Sequence, residues 1–178
     1  MQDSDAFKQM QDFALHYLPV MKTLGEQIEQ CGGQIWHQRP VEGMFAAHTQ
    51  WRICCNFLLR GVAPFLRMQW PTDFSQFETA DNTWIGLVEQ WQKVQGFIEH
   101  LANNTDEINR KQHKLICVDK AGFSQVELAA PQYVNQYIIP NFCFHLSMLY
   151  LVAKQHGVTV SKGDFDGFHQ YPTNFSFE

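Results

Sequence analysis

Residues 137 to 150 read YIIPNFCFHLSMLY, and this run constrains the fold more than any other stretch of the chain. No charged residue occurs between Glu127 and Lys154. That span is long enough to cross a bilayer. Gln132, Asn135, Gln136, Asn141, His145 and Ser147 interrupt it, however, and polar groups at that density are expensive in lipid. The stretch therefore reads as a helix buried on most sides within a soluble helical protein.

The spacing predicts what such a helix presents. Val134, Ile138, Asn141, His145, Met148 and Val152 recur at three and four and share one face. Asn141 and His145 stand one turn apart among apolar neighbours, and a buried polar group without a partner costs about 1 to 3 kcal/mol. A partner across the core is expected, and the second helix offers His48 and Gln50. Pro140 removes one backbone hydrogen bond and frees the carbonyl of Gln136, so a bend or an inserted water is expected beside the two polar residues. Two readings stay open from the residues alone. Either Asn141 and His145 are satisfied core groups, or they line a small internal pocket.

Four long helical patterns organise the chain. The first opens near Asp3 or Ser4 and carries Phe7, Met10, Ala14, Tyr17, Met21, Leu24 and Ile28. Pro19 predicts a kink or a helix in two parts, and Gly32-Gly33 an end. The second runs from about Val41 to Leu59, with Met44, Ala47, Trp51, Cys54, Leu58 and Val62 as its stripe and Gly61 and Pro64 as stops. A loop around MQWPTDFSQF leads to the third, about Ala80 to Ala102, with a seam from Trp84 to Leu101. Leu115 to Val118 and Phe123 to Val126 are expected to pair as a hairpin across the turn Asp119 to Gly122. The fourth helix starts near Pro131 and ends at Gly157, and the aromatic tail after it is expected to lie across the helices as a strap. The expected architecture is all-α: a four-helix bundle with a small β-hairpin between helices three and four, in one domain spanning residues 1–178.

Composition excludes several functions. The formal charge is -5 and no run of Lys or Arg occurs, so neither nucleic acid nor a membrane is an expected partner. The beginning, MQDSDAFKQMQDF, has no signal-peptide pattern, and five cysteines are an odd number. Free thiols in a cytoplasmic protein follow, with the adjacent Cys54 and Cys55 read as packing groups. No HExxH, nucleophile elbow or phosphate-binding glycine loop is present. The proposed core faces are almost free of carboxylates, which excludes a bundle di-iron centre. His16, His37, His100, His113, His156 and His169 are scattered and read as surface or structural groups.

The C-terminal third carries a more specific signal. Pro140, Asn141, Phe142, Phe144 and His145 form a PNFxFH run, followed by Gly157-Val158 and by Lys162, Asp164, Phe165 and Gly167. YLPVMKTL on helix one and Met44-Phe45 with Gln50 on helix two extend the match. The chain resembles the DUF1993 family, uncharacterised and mainly bacterial, within the DinB/YfiT-like superfamily of metalloenzyme-type bundles. That resemblance implies an up-down four-helix bundle, often a homodimer. In the wider superfamily one histidine of helix two and an HxxxH of helix four hold nickel or zinc. Here Asn141 occupies the first slot of that HxxxH, and Gln50 follows this family's own pattern.

Amides are poor ligands for nickel or zinc. The expectation is a bundle with no metal cofactor, its polar-centred pocket lined by His145, Asn141, Gln50 and His48, serving a small-molecule ligand or a homodimer. The rival is a Ni- or Zn-dependent, or thiol-dependent, transferase or hydrolase-like enzyme, with His48, Asn141 and His145 as the metal ligands. A third expectation is a structural interaction module that uses the aromatic tail.

Overall fold

The computed structural model describes residues 3–66, 81–104 and 115–172. Within them the protein is mostly helical, with one two-stranded antiparallel hairpin. Helix α1 spans Asp3–Cys31 and runs through Pro19 as one element rather than two. A 3-10 turn, Gly33–His37, follows. Helix α2 spans Ala47–Val62 and starts six residues later than the periodicity suggests. Pro40 and the positive-φ Gly43 (φ 83°) hold the intervening residues in turns, so Met44 lies outside the helix. Gly61 is not a stop but lies inside α2, where a Cβ would meet Met10 Sδ of α1 at 2.5 Å. It is a point of close helix approach.

Helix α3 spans Trp84–Asn103. Its beginning is set by a cap: Thr83 Oγ1 accepts from Gly86 N at 3.5 Å, and the Asp81 carboxylate accepts from Thr83 N and Thr83 Oγ1. The expected start at residue 80 and the MQWPTDFSQF loop lie outside the described residues. Strands β1 (Ile116–Ala121) and β2 (Ser124–Ala129) pair from Ile116↔Ala129 to Ala121↔Ser124. The hairpin is thus longer than expected, and its turn is the two residues Gly122-Phe123 instead of 119–122. Gly122 has φ 61°, the left-handed conformation that tight hairpin turns require. Asp119 and Lys120 then become strand residues.

The last long helix, α4, is built of three successive stretches. Ala130–Gln132 is α, Tyr133–Ile138 is π, and Ile139–Gln155 is α again. The Ile139 amide donates to Val134 O, five residues back. Pro140 cannot donate, and its ring crowds the carbonyl of Gln136; widening the preceding turn relieves that crowding. The wider turn changes the buried face. Ile138, Phe142, Leu146, Leu149 and Ala153 are buried, so Asn141, His145 and Met148 sit one position off the core stripe and are half-buried. A short helix, α5 (Gly163–Asp166), packs on α1. The expected strap is described as far as residue 172. Among the described residues, no helix is long and apolar enough to cross a membrane.

The core lies where α2 packs on α3 and α4 and where α1 packs on α3. Trp36, Trp51 and Trp84 meet with ring centroids 5.5 to 5.7 Å apart. Their neighbours tie backbones together: Trp51 Nε1 donates to Leu87 O at 3.2 Å, and Trp91 Nε1 to Leu18 O at 2.9 Å. Gly25 of α1 faces this cluster, and a Cβ there would meet Trp84 Cη2 at 2.6 Å and Trp51 Cζ3 at 2.7 Å.

The hairpin is fastened by Arg60 of α2. Its Nε donates to Asp119 Oδ2 and its Nη2 to Lys120 O and Tyr137 Oη, each at 2.8 Å. Tyr133 Oη donates to the same Asp119 oxygen at 2.7 Å. Both tyrosines come from the π stretch.

Two outcomes are expected from this packing. Gly25→Ala gains about 1 kcal/mol of helix propensity. Overpacking against two aromatic rings costs about 1 to 3 kcal/mol, so a net loss in chemical denaturation is expected. Arg60→Ala should cost about 2 kcal/mol by removing charged hydrogen bonds in a partly buried site. Hydrogen exchange should then accelerate first in residues 116–129.

Candidate functional site

The most defined polar arrangement in the interior lies on the seam between α2 and α4. Gln50 has no exposed surface. Its Nε2 donates to Phe45 O at 3.1 Å, closing the turn that leads into α2. Its Oε1 lies 2.6 Å from His145 Nδ1. The first bond settles the second. A carbonyl oxygen can only accept, so Nε2 must face Phe45 O and Oε1 must face the histidine. His145 Nδ1 therefore carries the hydrogen, and the Nε2 lone pair is left for other work.

That lone pair forms no hydrogen bond to any described residue and is reached by solvent rather than sealed in the core. Phe57 stacks on the His145 ring at 6.0 Å and 20°, and Phe144 meets it edge-on at 5.1 Å. Burial among these rings pushes the imidazole pKa down from 6.5 to about 4. At neutral pH His145 is an uncharged ring with a fixed tautomer.

Asn141 is one turn away but turns its amide to its own helix, donating to Tyr137 O at 2.6 Å. That carbonyl belongs to the π stretch, and the short amide side chain bonds back onto its own helix four residues away. His48 is two residues before Gln50, about 200° around the helix. It faces a different cleft, with Thr49 Oγ1 3.2 Å from its Nδ1 and the His37 ring 5.5 Å away. The structure thus joins His145 to Gln50, turns Asn141 onto its own helix and places His48 on another side of α2.

The donor set does not match a three-histidine metal centre. Among the described residues no group of three or more His, Cys, Asp and Glu side chains is placed to hold a metal ion. The seam itself offers one imidazole nitrogen and amides. Cys54, Cys55 and Cys143 offer little as nucleophiles either, since burial pushes them up from the usual thiol range.

The Lys-x-Asp-Phe-x-Gly run, which stands out in the sequence, is a clamp. Asp164 Oδ2 accepts from Ser161 N and Oγ, and its Oδ1 accepts from Gln27 Nε2 of α1 at 2.9 Å. His16 of α1 lies 2.7 Å from Asp166 O through Nε2 and stacks on Phe168. Gly167 ends α5 with φ 76°, and a Cβ there would meet Val20 at 2.8 Å. Sequence reasoning found the run without its role, because its partners lie on a helix more than 130 residues away.

The profile of a family described as a domain of unknown function (DUF1993) matches residues 5–166. No curated protein matches the chain.

The low basicity of His145 has a consequence for acid stability. A histidine held neutral in the fold but titrating at 6.5 when unfolded binds more protons in the unfolded state. Its contribution is complete above pH 6.5 and is lost as pH falls toward about 4. His145→Gln, which can still donate to Gln50, should flatten the fall in stability across that window when denaturation is followed at several pH values. His48, also lowered chiefly by burial, keeps part of the slope in place.

Proposed function

The chain belongs to the DUF1993 family, whose description names no activity, and on the geometry of the α2–α4 seam we propose that it is a ligand-binding up-down bundle of the DinB/YfiT-like type. The ligand is a small molecule that donates a hydrogen bond to His145 Nε2 and rests a flat apolar body on Phe57 and Phe144. One observation carries this reading: Gln50, itself fixed by Phe45 O, holds His145 with its Nδ1 protonated and its Nε2 lone pair open.

Basicity decides between binding and catalysis. A general base works best with a pKa near the operating pH. A group near 4 is unprotonated at neutral pH but holds an abstracted proton weakly. It accepts a hydrogen bond well and removes a proton from an alcohol or thiol poorly. The metal-dependent rival has less support, since the seam holds one imidazole where that chemistry needs several.

Phenol supplies a suitable probe, being a flat ring with one strong donor. In protein labelled with nitrogen-15, phenol is expected to move the His145 Nε2 resonance and the ring signals of Phe57 and Phe144. His145→Phe should abolish the response while keeping the helical spectrum. The reading is wrong if phenol leaves Nε2 unmoved, or if nickel or zinc binds stoichiometrically and is lost in His145→Ala.

A further inference from the structure

A cleft of about 380 Å³ lies on another side of α2, where that helix meets the start of α3. Its lining includes His48, Arg52, Ile53 and Asn56 of α2, with Phe45 before that helix and Asn82 before α3. The volume falls within the range of small-molecule sites. What such a cleft can hold follows from which of its polar groups are already engaged.

Arg52 is engaged. It is buried, and its Nη2 donates to Asp81 O at 2.6 Å and to Asn82 Oδ1 at 3.1 Å. The guanidinium thus serves the fold, and it also orients Asn82. A guanidinium nitrogen can only donate, so the oxygen of Asn82 must be the atom that faces it. Asn82 Nδ2 is thereby turned away as a donor and bonds to no described residue.

Asn56 is the second group with hydrogen-bonding capacity left. It stands one turn beyond Arg52, is half-buried, and forms no hydrogen bond to any described residue. Its amide offers both an acceptor and donors. His48 is held neutral by burial first and by His37, Arg52 and Arg39 after it. The Asp81 carboxylate nearby is taken up by Thr83 N and Oγ1 at the cap of α3. Phe45, 55% exposed, and Ile53 add an apolar wall. Neutral amides on an apolar wall are the chemistry this cleft offers.

We infer that the cleft binds a small, neutral, planar molecule that carries a carbonyl beside an N–H, as a lactam or pyrimidinone ring does. The carbonyl accepts from Asn82 Nδ2, the N–H donates to Asn56 Oδ1, and the ring rests on Phe45. Arg52 is a positioning residue in this arrangement, because it fixes which end of Asn82 is presented.

α-Pyridone, N-methyl-α-pyridone and benzoate separate the possibilities in the full chain labelled with nitrogen-15. α-Pyridone should shift the side-chain amide signals of Asn56 and Asn82 to saturation. The N-methyl compound keeps the carbonyl but lacks the donor, and should bind about tenfold more weakly. Benzoate should leave both signals unmoved. Asn82→Asp keeps an oxygen for Arg52 but replaces the donor with an acceptor; it should weaken α-pyridone about tenfold with no fall in melting temperature. Asn56→Leu should weaken it by a similar factor. His145→Phe should retain the response, which separates this cleft from the α2–α4 seam. The inference is overturned if α-pyridone gives no saturable shift at Asn56 and Asn82, or if the N-methyl compound or benzoate binds as tightly. It is equally overturned if Asn82→Asp and Asn56→Leu keep full affinity, or if His145→Phe abolishes the response.

Discussion

A missing amide hydrogen organises the α4 side of this protein. Pro140 cannot donate to the turn before it, and the helix answers by widening to a π stretch at Tyr133–Ile138. Three features follow from that local change. The buried stripe advances in steps of four through Ile138, Phe142 and Leu146, which moves His145 off the core face to its edge. Tyr133 and Tyr137, a turn apart, both reach the Arg60–Asp119 pair and secure the hairpin to α2. Tyr137 O, at the disturbed turn, accepts the side chain of Asn141. A proline in a buried helix commonly costs stability, and here the surrounding contacts use the geometry it imposes.

Gln50 has a comparable reach over a shorter distance. A buried primary amide has two ends with opposite hydrogen-bonding character, and fixing one end fixes the other. Phe45 O takes the donor end, so the acceptor end dictates the His145 tautomer from across the seam. A second histidine at this position would have offered a metal ligand; the amide instead makes its partner a neutral acceptor. Gln50 thereby sets which nitrogen of His145 is left as the acceptor.

Periodicity made the long helices legible, because apolar residues at three and four report a buried face whatever the partner. The need of His145 for a partner on helix two was legible for the same reason, since a buried polar group must be satisfied. Which of His48 and Gln50 supplies it was not, because the two differ by 200° of rotation that only the packing of α2 on α4 decides. The hairpin is legible in the sequence but its register is not. Its turn depends on one positive-φ glycine, and Asp119 looks like a turn residue until Arg60 claims it. Asn141 was expected to look across the core, yet the carbonyl four residues back lay closer.

The clamp between α1 and α5 bears on how the chain reaches this state. His16 and Asp166 are 150 residues apart, and Gln27 and Asp164 are 137 apart. A ribosome builds α1 early, and its His16–Gln27 side waits through the synthesis of every other described helix before its partner emerges. Contacts of such long range form late, after the entropy of closing a large loop has been met by other interactions. The helices must gather first, and the clamp then closes over an assembled core.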